Sequence, residues 1–386
     1  MPDITRREVL LAKIESVYGT DPTPTGAANA IQAYNINPTP IEQILVSRER
    51  VLPYKGNFDN LVAANYGGIE FEVEIAGAGT AGTAPGYGPL LRACGFGQVL
   101  NAAAVTGTAQ SGTATGIVLA AAVSAADDAF NGAMIEITGG TGSGQRRLIT
   151  DYVGATDTAT VNKAWDTNPN ATSTYSIAAG AFYAPVTSGE ESVTIYHYKD
   201  GKLHEYNGCR GTVSFGINRL GRPTMRFRFI GLYVQPIDAA NATPTLTGFQ
   251  TPVAVNNTNT TGFRLHGYTS WVLDNLALDL ANQTVYRHLV GSETIQIPDR
   301  RPAGSVMVEA VKVAAKDVWD EISGAVLDEM SIKHGQTTGN IVWFDAPSVQ
   351  LRNPRYSSQD GIDMLAMDML LLPTASGNDE LVISVG

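Results

Sequence analysis

Cysteine is almost absent from this chain of 386 residues, which holds only Cys94 and Cys209. The two form no Cys-x-x-Cys pair and no metal-spaced cluster, so neither a disulfide framework nor a cysteine-based metal site organises the fold. Basic charge is also scarce: 26 Lys and Arg stand against 37 Asp and Glu, a formal net charge of -11. Tight nucleic-acid binding by neutralised phosphates needs a basic excess and is not expected on this balance; repulsion of DNA is compatible with it. No run of 18 apolar residues occurs, so no helical membrane span is expected. The apolar run at residues 9–12 is too short for a signal-peptide core, and assembly in a cytoplasm follows as an expectation.

What is abundant is turn chemistry. Forty glycines, 19 prolines and long Thr/Ala/Asn runs accompany 44% hydrophobic and 16% charged residues. A globular, mainly β (α+β) protein of short strands and many turns is the fold class that fits. The length suffices for two or three domains with buried cores.

Residues 1–40 read as an N-terminal arm, because Pro22 and Pro24 break regular structure after a short apolar stretch. Residues 69–75 (IEFEVEI) alternate strictly and give a strand with Glu70, Glu72 and Glu74 on one face. A short helix is expected before Gly95. Composition then shifts to Ala, Thr, Gly, Asp and Asn over residues 103–180, read as a small all-β domain inserted into a loop. The main domain resumes with strands flanking the turn at Asp200 and Gly201, followed by a strand carrying Arg226 and Arg228. Residues 236–262 read as a linker. Residues 263–386 repeat the order strand, strand, helix, long hairpin. The division is therefore an arm (1–40), a first domain (41–102 and 181–235), the insert (103–180), the linker (236–262) and a second domain (263–386). Duplication and two unrelated β-rich halves both fit this pattern.

Catalytic signatures are missing. The loop at residues 139–145 (GGTGSGQ) lacks the Gly-Lys-Ser/Thr ending of a phosphate cradle and runs into a strand, so it reads as a turn. His204 and Glu205 begin a zinc-protease pattern that fails at Gly208, and the five histidines have no ligand spacing. No Gly-x-Ser-x-Gly elbow is present. The chain reads as a non-enzyme with no cofactor. Paired charge does stand out: if the strands of Glu70, Glu72, Glu74 and of Arg226, Arg228 are neighbours, cross-strand ion pairs follow. The face is then either an ordinary solvent face or the lining of a polar channel.

Three stretches carry a family likeness. Residues 13–24 (KIESVYGTDPTP) resemble the N-terminal arm of siphophage tail tube proteins, 200–215 (DGKLHEYNGCRGTVSF) their central hairpin, and 223–233 (PTMRFRFIGLY) the strand that follows. The likeness covers residues 1–100 and 182–386. Within the insert, residues 127–132 (DDAFNG), residues 142–152 (GSGQRRLITDY), Ala164 and Trp165 resemble a small β-module of phage virion proteins. The resemblance implies a β-sandwich or barrel domain whose copies form stacked rings around a DNA channel. It implies Glu70, Glu72 and Glu74 as lumen candidates, and Lys13, Ile14, Val17 and Tyr18 as an inter-ring arm. A duplicated domain gives three chains per pseudo-sixfold ring, the favoured expectation, and a single one gives six. Expected partners are further copies of the chain and the tail terminator, tape measure and distal tail proteins, with DNA passing through unbound. A virion decoration or fibre protein is the alternative, and a carbohydrate-binding β-protein a weaker one.

Overall fold

The computed structural model describes residues 6–386, and its strands fall into a 17-stranded, a seven-stranded and a two-stranded sheet. The mainly β expectation holds. The large sheet does not close into a barrel within one chain.

Six strands make its first half: β1 (Glu8–Ile14), β2 (Ala33–Ser47), β3 (Asn60–Glu74), β4 (Val193–Lys199), β5 (Lys202–Asn218) and β6 (Thr224–Tyr233). All pairs are antiparallel, in the spatial order β1-β4-β5-β6-β3-β2. The second half contains β7 (Thr260–Leu265), β8 (Leu273–Asp279), β11 (Ala303–Glu309), β12 (Leu327–His334), β13 (Val342–Gln359) and β14 (Ile362–Leu371), while β9 (Asn282–Leu289) and β10 (Ser292–Arg300), between β8 and β11 in the chain, form the separate two-stranded sheet. Their order is β7-β12-β13-β14-β11-β8. Strand for strand, the pairing plan recurs in the same chain order. A short helix precedes the central strands each time, α1 (Gly88–Ala93) and α2 (Val318–Ser323).

Local chemistry explains the elements. The β4–β5 hairpin turns at Asp200 and Gly201, both with positive φ, as an Asp-Gly turn requires. Helix α1 stops at Gly95 (φ +81°), and α2 starts on Asp317, whose side chain accepts from the Asp320 amide. On β3, Ile69, Phe71 and Val73 are buried while the three glutamates face outward. Phe71 packs on Phe227 and Phe229 with ring centroids 5.8 and 6.0 Å apart. One continuous core joins both halves.

Residues 105–177 supply the seven-stranded sheet, which has a core of its own around Ile135, Ile149, Tyr152 and Tyr175. This segment leaves and re-enters the large sheet through two paired strands, Phe96–Asn101 and Gly180–Pro185. The glycine loop within it is a turn between strands, with Gly140, Gly142 and Gly144 at positive φ.

The arm expectation needs correction. Glu8–Ile14 is an internal strand, paired along its whole length with β4, and Leu10, Leu11 and Ala12 are buried. The same apolar run that is too short for a signal peptide is long enough to fill one strand of the core. Residues 1–5 of that arm lie outside the described residues.

Candidate assembly surfaces

No metal-binding group of three or more His, Cys, Asp or Glu side chains exists among the described residues, and no helix there is long and apolar enough to cross a membrane. The features that call for a function are surfaces.

The first is the polar face of β3 and β6. Register places Glu72 opposite Arg226 and Glu70 opposite Arg228. The Arg226 guanidinium pairs with Glu70 on the diagonal. Arg222 reaches Glu74 at 3.1 Å and lies over the Tyr34 ring at 4.3 Å. Asn35 Nδ2 donates to Glu72 at 2.9 Å. Three carboxylates and three guanidiniums are thus interleaved on one sheet face, and the acidic stripe expected from β3 alone is a mixed lattice of both signs. Being partly exposed, each pair contributes little to stability.

The four arm candidates are tied to their own chain. Lys13 Nζ donates to the Pro22 carbonyl at 2.8 Å, and Ile14 packs on the core. Tyr18 donates to the Gly208 carbonyl at 3.2 Å and accepts from the Ile295 amide, under the guanidinium of Arg210. Burial raises the Tyr18 pKa, with the Ile295 bond and Arg210 acting against it. Val17 alone points outward, 63% exposed. What fixes this segment is a residue that sequence reasoning passed over. Buried Glu15 accepts from Ser192 Oγ (2.6 Å), Thr194 Oγ1 (2.7 Å) and the amides of Gly208 (2.6 Å) and Gly19 (2.7 Å). A buried carboxylate is tolerated only when satisfied in this way.

The second surface is a pair of protruding hairpins. The outer part of β2–β3 leaves Ile41, Ile44, Leu45, Val46, Leu61 and Val62 about half exposed. Arg48 and Arg50 clamp Asp59 at its tip, each at 2.6 Å. The β9–β10 hairpin exposes Val285, Leu289 and Val290. Tyr66 and Tyr286 stack at 4.7 Å and join the hairpins at their bases. Exposed apolar side chains gathered on two hairpins in this way make them candidates for association.

A latch holds the seven-stranded sheet to the second half. Arg147 is 2% exposed and contacts Glu329 at 2.6 Å and Asp166 at 3.2 Å. Arg146 reaches Asp345 and Glu136 at 3.1 and 3.0 Å and lies over the Trp343 ring at 3.9 Å. Burial pushes the Asp345 carboxyl up, and Arg146 offsets part of that. In the sequence these arginines only spoil a phosphate-loop pattern. Nothing local links Arg147 to a glutamate 182 residues away.

No curated protein sequence matches this chain. A family model described as "Phage tail tube protein" matches residues 5–340. The matched span takes in the whole first half, the seven-stranded sheet and the second half as far as β12, and on it the chain belongs to the phage tail tube protein family.

Proposed function

We propose that this chain is the subunit of stacked rings that form the tail tube of a siphophage. Each chain carries two copies of one tube domain, so three chains complete a pseudo-sixfold ring. The observation that carries this reading is the recurrence of the strand order, β1-β4-β5-β6-β3-β2 in one half and β7-β12-β13-β14-β11-β8 in the other. Two domains in tandem with matching edges suit a ring.

The polar face of β3 and β6, with Glu70, Glu72 and Glu74, lines the channel. There two of the three arginines are already occupied: Arg226 by Glu70 and Arg222 by Glu74. A passing phosphate meets a face where three carboxylates balance three guanidiniums, within a chain whose net charge is -11, and does not stick. The exposed apolar hairpins make the contacts between successive rings. The seven-stranded module sits on the outside of the tube. Tail terminator, tape measure and distal tail proteins are the partners at its ends.

Negative-stain electron microscopy of the purified protein over a concentration series tests the reading. Hollow tubes or stacked rings with threefold-modulated sixfold averages are expected. Discrete particles that never stack at any concentration would overturn it.

A further inference from the structure

Within one chain the two halves are joined edge to edge. Strand β8 adds to the C-terminal part of β5, from Ser214 opposite Asp279 to Asn218 opposite Asn275. The joint continues as the Leu280 amide donates to the Val213 carbonyl at 3.1 Å and Asn282 Nδ2 to the Gly211 carbonyl at 2.9 Å. Its core-facing residues Phe215, Ile217, Leu276 and Leu278 are buried.

Among the described residues, each partner in that joint has a counterpart elsewhere in the chain that lacks a mate. Matching the buried rows Met225, Phe227 and Phe229 to Leu365, Met367 and Met369 sets the correspondence. Phe215 opposes Met225 and Tyr356 opposes Leu365, so Tyr356 stands where Phe215 stands. Likewise Pro38 opposes Ile69 as Leu278 opposes Gly304, and Asn37 opposes Glu70 as Ala277 opposes Ser305. The counterpart of the β5 edge is therefore the end of β13, and the counterpart of β8 is β2. Strand β12 covers β13 only as far as Gln350, and among the described residues β2 pairs with β3 alone. Where Phe215 is 2% exposed, Tyr356 is 63% exposed, with Trp319 5.7 Å from it. An open strand edge beside exposed aromatic side chains is a template for strand addition.

We propose that copies of this chain associate head to tail by laying the outer edge of β2 (34–39) of one copy along the end of β13 (355–359) of the next. This repeats between chains the joint that β8 makes with β5 inside one, less the backbone donor that Pro38 lacks where Leu278 has one. The proposal rests on the tube reading, and it names the contact that closes the ring. It puts Asn37 opposite Ser357 of the neighbouring copy and brings Pro38 and Ile36 over Tyr356. The contact is heterologous, so it closes into a ring or runs on as a filament.

The test is a cysteine pair, Asn37→Cys with Ser357→Cys. Cys94 and Cys209 are fully buried, so only the new thiols are free to react. Directly opposed strand residues lie about 4.5–5.5 Å apart at Cα, within disulfide range. On oxidation, non-reducing electrophoresis is expected to show linked species for the double variant that stop at three chains, and none for either single variant. Adding Tyr356→Asp is expected to abolish the linkage while the thermal melt of the unassembled chain stays unchanged. Rings or tubes by microscopy without linked species would overturn this joint and leave the tube reading standing. Linked trimers that never stack would support the joint and count against the tube. Linkage in a single variant would mean a twofold contact and would overturn the proposal.

Discussion

The two halves share a pairing plan and differ in what fills it. In the first half, β3 and β6 bring Phe71 against Phe227 and Ile69 against Phe229. At the matching places in the second half, β11 and β14 bring Val306 against Met367 and Gly304 against Met369. One side of the shared core is a stack of aromatic rings, with Phe227 and Phe229 5.9 Å apart. The other is methionine and small residues, and a Cβ on Gly304 would stand 3.0 Å from the Met369 methyl and 2.6 Å from the Ala277 carbonyl. Both strands carry smaller side chains in the second half, while burial alternation and register stay put. The pattern of inward and outward positions specifies the sheet, and flexible methionines absorb the mismatch in shape.

Truncating the cores bears hardest on that comparison. Phe227→Ala is expected to cost about 3–5 kcal/mol and Met367→Ala about 2–5 kcal/mol by chemical denaturation, with the aromatic site the more costly. If Met367→Ala proved the worse, the methionine half would be the rigid one. Gly304→Val is expected to destabilise by roughly 1–3 kcal/mol through overpacking against backbone. A neutral result would mean that β8 and β11 can separate freely.

The ends of the leading strands differ as well. Glu15 fixes the segment after β1. The segment after β7 is fixed by His266, whose Nδ1 meets Glu321 at 3.1 Å and whose Nε2 meets the Val349 carbonyl at 2.9 Å. Glu15→Ala leaves hydroxyl and amide donors without an acceptor and is expected to cost about 1–3 kcal/mol. Burial lowers the His266 pKa, against the pull of Glu321. A histidine that titrates lower when folded takes up protons more readily when unfolded. The stability it supports is therefore full above roughly pH 6.5 and lost as the pH falls below that. Burial likewise lowers the pKa of His197, His204 and His334. Melting temperature is expected to drop between pH 7.5 and 5.5, and His266→Gln to flatten the slope by at most about 1.4 kcal/mol per pH unit. An unchanged slope would show that His266 carries none of it.

Local features were legible in the sequence. The alternation of Ile69, Phe71 and Val73, the Asp200-Gly201 turn and the stop at Gly95 each depend on a few adjacent residues. The neighbouring strands of glutamate and arginine were readable as a conditional, because opposite charges at period two suit a cross-strand pair. The contacts that lock distant segments together were not legible. Glu15 finds three of its four donors 177 to 193 residues away, and Arg147 finds Glu329 across two sheets. Neither spacing nor composition encodes such pairs, and a short apolar run before two prolines reads as an arm until its partner strand β4 is known. The joint of β8 with β5 was hidden for the same reason: an edge strand carries no mark of which edge it meets.

The smallest effect expected concerns the charged face, where the halves differ without a structural cost. Glu70 corresponds to Ser305, and Arg226 to Ala366. The second half thus already lacks the Arg226–Glu70 pair and still forms the same ladder. Replacing that pair by its counterparts, Glu70→Ser with Arg226→Ala, is expected to change stability by about 0–1 kcal/mol, the range for exposed ion pairs. Removing only the carboxylate, Glu70→Ser, should also leave the melt nearly unchanged, yet it frees Arg226. If this face lines the channel, tubes of that single variant should retain duplex DNA at low salt and release it as salt rises, whereas tubes of the double variant should not. Equal behaviour of the two variants would place the face away from the DNA, and a large loss of stability in the double variant would mean that the charge pair, and not the register, holds β3 to β6.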